Sequence, residues 1–151
     1  MTLTQVQADQ IAALLNLQNE LTLQYTRKRV LDHAENYLIE TSDQGDVLAC
    51  VEVKKVQWYQ SEISHLSVSR SAVRKGHATA LLKQAEQRSR VNGVSLLQCT
   101  IREGNNVSRR LFESLGFLQV GMFMNMESGK NLVIYQKVLS AAHQDAEKLN
   151  S

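Results

Sequence analysis

The chain reads as a mixed α/β fold. Three observations predict it: apolar residues at helical spacing in the first third, short β-branched strand runs from residue 37, and a strand–loop–helix unit followed by a second strand–helix pair and a closing hairpin. The predicted element order is α-α-β-β-β-α-β-α-β-β. At 151 residues the length fits one domain, large enough to bury most of its unfolded surface without disulfide or metal staples.

Residues 4–16 place Val6, Ile11, Leu14 and Leu15 at helical spacing, with Thr4 as a cap. Residues 18–35 repeat the pattern with Leu21, Leu23, Tyr25, Val30 and Leu31, predicting a second helix whose basic run at 26–29 (TRKR) is a solvated face. From residue 37 the texture changes. YLIETSD, then QGD, then VLACVEVKKVQWY reads as strand, tight turn, strand, with Val51, Val53 and Val56 suited to a sheet. SEISHLSVS at 61–69 alternates Ile63, His65 and Ser67 against Ser64, Leu66 and Val68, a third strand of the same meander.

Residues 77–92 are helix formers with Ala78, Leu81, Leu82 and Ala85 on one face, stopped at Gly93. VSLLQCTI at 94–101 is a buried strand, EGNN a loop, and residues 107–115 a helix stopped at Gly116. FLQVGMFMNM, the ESGKN turn and LVIYQKVL form the closing hairpin, and the tail 140–151 reads as a short helix or a frayed end.

Composition narrows the function. Seventeen basic against fifteen acidic residues give a net charge of +2, too near neutral for a broad nucleic-acid or membrane footprint. A helix-turn-helix over residues 4–31 is further disfavoured because no glycine turn separates its helices. The N-terminus lacks the order of a signal peptide, and no apolar run approaches membrane-spanning length. Cys50 and Cys99 sit in apolar stretches with no metal or CxxC spacing, so the expectation is two reduced core thiols, no metal, and a reducing cytoplasm.

The chemistry concentrates where the strand at 61–69 passes into the helix at 77. A helix's first turn carries free N–H groups and a partial positive end, a ready anion site. Gly76 and the small Ala78 let a phosphate approach the backbone, and Arg74 and Lys75 add charge. Neither a Walker loop nor a dinucleotide fingerprint is present.

Val73-Arg74-Lys75-Gly76-His77-Ala78, followed by Thr79-Ala80-Leu81-Leu82, resembles the acetyl-CoA motif Q/R-x-x-G-x-G/A of the GNAT superfamily of N-acetyltransferases, with Val73 departing at its first position. A second block, Asn105 to Phe117, resembles the family's N-x-x-A-x-x-L-Y-x-x-L-G-F. Asn105, Leu111, Leu115, Gly116 and Phe117 match, Ser108 stands for alanine, and Phe112 stands for tyrosine. The two blocks with their preceding strand cover about residues 61–117.

The resemblance implies the GNAT fold, a mixed central sheet with splayed fourth and fifth strands and helices on both faces, as one domain over residues 1–151. It implies acetyl-CoA as cosubstrate and an amine acceptor, of a small molecule or a protein, attacking the thioester directly in a ternary complex. Homodimers are common in the family, and the hairpin and tail offer pairing surfaces. The implied cofactor contacts are Leu66, Ser67 and Val68 on the fourth strand, Val73, Arg74, Lys75, Gly76, His77, Ala78 and Thr79 at the pyrophosphate, and Asn105 and Ser108 across the gap.

Glu62 lies 76 − 62 = 14 residues before the motif glycine, where the histone-acetylating branch carries its glutamate base. Glu52 on the preceding strand is the weaker alternative, and alternation puts His65 on the face opposite Glu62. Phe112 offers no phenol to protonate the leaving thiolate, which leaves water, Tyr59 or Tyr135. Trp58 and Tyr59 read equally as a substrate-stacking pair or as hairpin packing. A CoA-binding module without catalysis is the alternative to the enzyme.

Overall fold

The structure, a computed structural model, describes residues 2–18 and 24–139. Its elements are α1 (Gln5–Gln18), α2 (Arg27–Asp32), a 3-10 turn Ala34–Asn36, β1 (Tyr37–Thr41), β2 (Val47–Gln57), β3 (Gln60–Val68), a 3-10 turn Arg70–Ala72, α3 (His77–Val91), β4 (Leu96–Arg102), α4 (Asn106–Ser114), β5 (Leu118–Met124) and β6 (Asn131–Val138). In hydrogen-bonding order the strands run β1-β2-β3-β4-β6-β5. No helix among the described residues is long and apolar enough to cross a membrane.

Two compact units share the chain. The first takes residues up to Lys54 and Ser64–Ala85. Thr4 opens α1 with a capping box: its hydroxyl accepts from Gln7 N at 3.0 Å while its own N–H donates to Gln7 Oε1 at 3.2 Å. One face of α1 then buries Ala8, Ile11, Ala12, Leu14 and Leu15 in a cluster with Val30, Tyr37, Ile39 and Cys50. β1 pairs antiparallel with β2, Tyr37 facing Glu52 and Ile39 facing Cys50. Ile11 is wholly buried in this cluster, so Ile11→Ala removes three side-chain carbons, two methyls and one methylene, from a packed site. We expect a loss of about 3 kcal/mol, read as a lower urea midpoint at unchanged slope.

The helix expected over 18–35 is shorter. Residues 19–23, with Leu21 and Leu23, lie outside the described residues, as does the tail 140–151. Of the rest, Tyr25 and Thr26 precede the helix, and Thr26 is its extended N-cap, with its hydroxyl accepting from Arg29 N at 3.2 Å. That threonine cap delays the helix to Arg27, and a 3-10 turn replaces its end.

The second unit takes Lys55–Ile63 and the chain from Glu86. β4 pairs antiparallel with β6 from Leu96↔Val138 to Arg102↔Leu132, and β5 lies outside β6 with a register shift between Gln119 and Gly121. β3 meets β4 in parallel through Gln60↔Leu96, Ser61↔Leu97 and Glu62↔Gln98. The strand that the resemblance takes as the fourth is β3 here, because the described residues before Tyr37 contain no strand.

Candidate functional site

In the first unit the loop before α3 takes its shape from two left-handed residues. Arg74 has φ 63° and Gly76 φ 84°, with Val73 extended before them. Alternation of this kind turns successive backbone N–H groups toward one side and forms an anion-binding concavity. The first helical bond of α3 runs from Ala80 N to Gly76 O at 3.0 Å, so the N–H groups ahead of Ala80 belong to the open first turn. A Cβ built at Gly76 meets nothing within 4 Å, so the space over the loop is open.

His77 and Ala78 open α3 half-buried, while Arg74 and Lys75 are exposed. The His77 ring is drawn toward β1, its Nδ1 lying 3.6 Å from Glu40 Oε1, and Gln84 donates to the other Glu40 oxygen at 3.2 Å. Val73, where the family carries a polar residue, is exposed. Leu66 and Val68 are half-buried on β3 and Ser67 is buried between them.

The same unit holds a polar cluster that the sequence did not single out. Tyr25 Oη and His65 Nε2 lie 2.7 Å apart, with the two rings edge-on at 5.0 Å. Ser64 donates to Glu52 Oε1 at 3.3 Å. Burial, then the Glu52 charge, lifts the Tyr37 phenol far above the usual phenol range. His65 adopts φ 55°, a left-handed kink inside β3, so simple alternation does not set its side chain.

The second unit holds the other residues. Glu62 is half-buried on β3 and accepts from Gln98 Nε2 at 2.6 Å, and Gln98 in turn accepts from Gln136 at 2.6 Å. Burial raises the Glu62 carboxyl above the ordinary range, opposed by hydrogen bonds from Gln98 and Gln60. Asn105 caps α4, its Oδ1 accepting from Ser108 N at 3.2 Å, which leaves the amide NH2 as its donor to a ligand. Ser108 is half-buried one turn along. Asn105 also lines a cavity of about 670 Å³ with Arg102, Glu103, Arg109, Lys130 and Asn131.

Phe112 is buried and packs edge-on against Phe117 at 5.0 Å. Tyr135 is wholly buried; it donates to Glu113 at 2.7 Å and accepts from Arg109 at 3.0 Å, a structural arrangement. Trp58 and Tyr59 form the β2–β3 turn and pack edge-on against each other at 5.2 Å, while the Tyr59 carbonyl accepts from Ser95 and Leu96 N–H. Among the described residues no group of three or more metal-ligating side chains occurs.

A loop with two left-handed residues at an open helix start, on a six-stranded mixed sheet, fits the acyltransferase fold that the two sequence blocks resemble. The chain belongs to the Acetyltransferase (GNAT) family, whose sequence profile matches residues 3–117. No curated protein sequence matches it significantly.

Solved structures extend the likeness. An N-acetyltransferase from Staphylococcus aureus Mu50 superposes with a TM-score of 0.79 at 19% identity, covering 93% of this chain and 97% of that one. A ribosomal-protein-alanine N-acetyltransferase from Brucella melitensis gives 0.78 at 21% identity, covering 92% and 98%. The Salmonella typhimurium protein yncA, solved with its cofactor acetyl-CoA, gives 0.79 at 18% identity, covering 93% and 92%. At these identities the likeness is one of fold.

Proposed function

We propose that the chain is an N-acetyltransferase that moves the acetyl group of acetyl-CoA to a primary amine by direct attack in a ternary complex. The observation that carries this reading is the loop at Arg74–Gly76: two left-handed residues, an open helix start and no obstruction where a phosphate would lie. In this reading residues Val73–Thr79 hold the pyrophosphate, the backbone of Leu66–Val68 pairs with the pantetheine arm, and Asn105 and Ser108 contact it from α4.

Glu62 serves as the base. It takes a proton from the acceptor ammonium, directly or through water, and its raised carboxyl is matched to that task. The free amine attacks the thioester carbonyl, the C–N bond forms, and the C–S bond breaks. CoA thiolate is an acceptable leaving group, and water protonates it where Phe112 cannot. The net reaction turns ammonium and acetyl-CoA into amide, CoA thiol and one proton.

The test pairs calorimetry of acetyl-CoA binding with release of CoA thiol over a panel of primary amines. Two structural neighbours, from Brucella melitensis and Escherichia coli, are named for acetylating ribosomal-protein alanine, so the panel includes peptides with N-terminal alanine. Binding with turnover on at least one amine supports the proposal. Binding without turnover would make the chain a non-catalytic CoA-binding module, and absence of binding overturns the site.

A further inference from the structure

An ammonium loses two protons on its way to an amide. One leaves before the nitrogen attacks, the other as the C–N bond forms. A single carboxylate accounts for the first, and the first unit holds a pair suited to the second. Tyr25 Oη and His65 Nε2 are 2.7 Å apart although forty residues separate them in the chain.

Both partners are fixed from behind. Asn16 pins the Tyr25 backbone twice, donating to its carbonyl at 2.9 Å and accepting from its N–H at 2.7 Å. His65 is held at φ 55°, a conformation that a non-glycine residue keeps only where its surroundings enforce it, and such residues cluster at functional sites. Both side chains are half-buried, so they are partly desolvated and still open to a substrate.

Charged and titratable groups face the pair from each neighbouring element. The Arg29 guanidinium of α2 sits 5.1 Å over the Tyr25 ring. From β2 come the Glu52 carboxylate, which acts on both members, and Cys50, whose Sγ lies 3.8 Å from the His65 carbonyl. Tyr37 of β1 is coupled to Tyr25. Burial holds the His65 imidazole below its ordinary range, with Glu52 opposing and Arg29 reinforcing. Burial holds the Tyr25 phenol above its own, with Glu52 reinforcing and Arg29 opposing. At neutral pH the pair therefore rests as a protonated phenol beside a neutral imidazole, and in the Nδ1–H tautomer the phenol O–H donates to Nε2.

We propose that Tyr25 and His65 form a proton relay for the acceptor nitrogen. Tyr25 Oη takes the nitrogen's second proton while its own proton passes to His65 Nε2. One N–H bond and one O–H bond break, and a new O–H and a new N–H form. The resulting imidazolium returns its proton along the same path, or to solvent, after the thiolate departs. Tyr25 is the catalytic residue of the pair, and His65 acts through it as a positioning residue. The proposal rests on the acetyltransferase reading above.

The experiment uses the full chain, acetyl-CoA and the best amine of the panel. The variants are Tyr25→Phe and His65→Gly; glycine keeps the left-handed backbone at no steric cost. We expect kcat to fall about 100-fold in each, with acetyl-CoA affinity within about twofold of the parent. The part of the parent's acid limb that follows His65 should vanish with Tyr25→Phe, while the part set by Glu62 should remain. Substituted imidazoles in the buffer should restore His65→Gly in proportion to their basicity, which a packing role would not reproduce. If kcat stays within twofold in both variants, or rescue ignores basicity, the relay is wrong while the acetyltransferase reading stands. A parent that binds acetyl-CoA yet acetylates no amine overturns both.

Discussion

Gly76→Asp is expected to weaken acetyl-CoA binding by at least about 100-fold, equivalent to roughly 2.7 kcal/mol. The new carboxylate would stand where the loop's N–H groups and the start of α3 are proposed to meet a pyrophosphate, replacing attraction with like-charge repulsion. Folding should survive. The position has φ 84°, which aspartate adopts more readily than most residues, and a Cβ there meets nothing within 4 Å. Gly76→Asn isolates the charge, since it has the same shape without the carboxylate. Calorimetry should place it at least tenfold tighter than Gly76→Asp. Equal affinities would mean that bulk alone acts, and parent-like affinity in both variants would place the anion elsewhere.

Glu62→Gln is expected to lower kcat about 100-fold while leaving acetyl-CoA affinity unchanged. The base must be ionised to accept a proton, and burial raises its carboxyl above the usual 4.5. Turnover by the parent should therefore rise with pH through a midpoint above the ordinary glutamate range, and the variant should lose that limb. The same shift has a stability consequence. A carboxyl raised in the folded chain contributes stability that is complete below its unfolded pKa and lost as pH rises through the folded one. Glu62→Gln should thus melt no earlier than the parent at neutral pH, and relatively later there than at acid pH. Unchanged turnover would be the result that would falsify the role of Glu62.

Much of the fold was legible because it rests on local signals. The cap at Thr4, the strand texture from Tyr37 and the glycine stops after α3 and α4 each act within one turn of chain, and each element appears close to its expected place. The open loop before α3 was legible for the same reason, since a glycine and a small residue at a helix start sit together in the sequence. What escaped depends on distance along the chain. Tyr25 read as one more apolar residue of a long helix, because nothing local says that Thr26 caps a shorter one or that His65 waits forty residues on. The Gln136–Gln98–Glu62 chain is set by β-sheet register, which no single stretch encodes.

The two thiols lead somewhere else. Cys50 and Cys99 are buried, and burial pushes both up to about 12. Burial therefore keeps both in the thiol form at pH 8, so an alkylating reagent finds almost nothing to attack in the closed chain. Cys50 belongs to the first unit and Cys99 to the second. Each thiol is therefore a clock for its own half: the rate at which it is capped under native conditions counts how often that half breathes open. Mass spectrometry of the two peptides, with and without acetyl-CoA, would tell which half the cosubstrate quiets first.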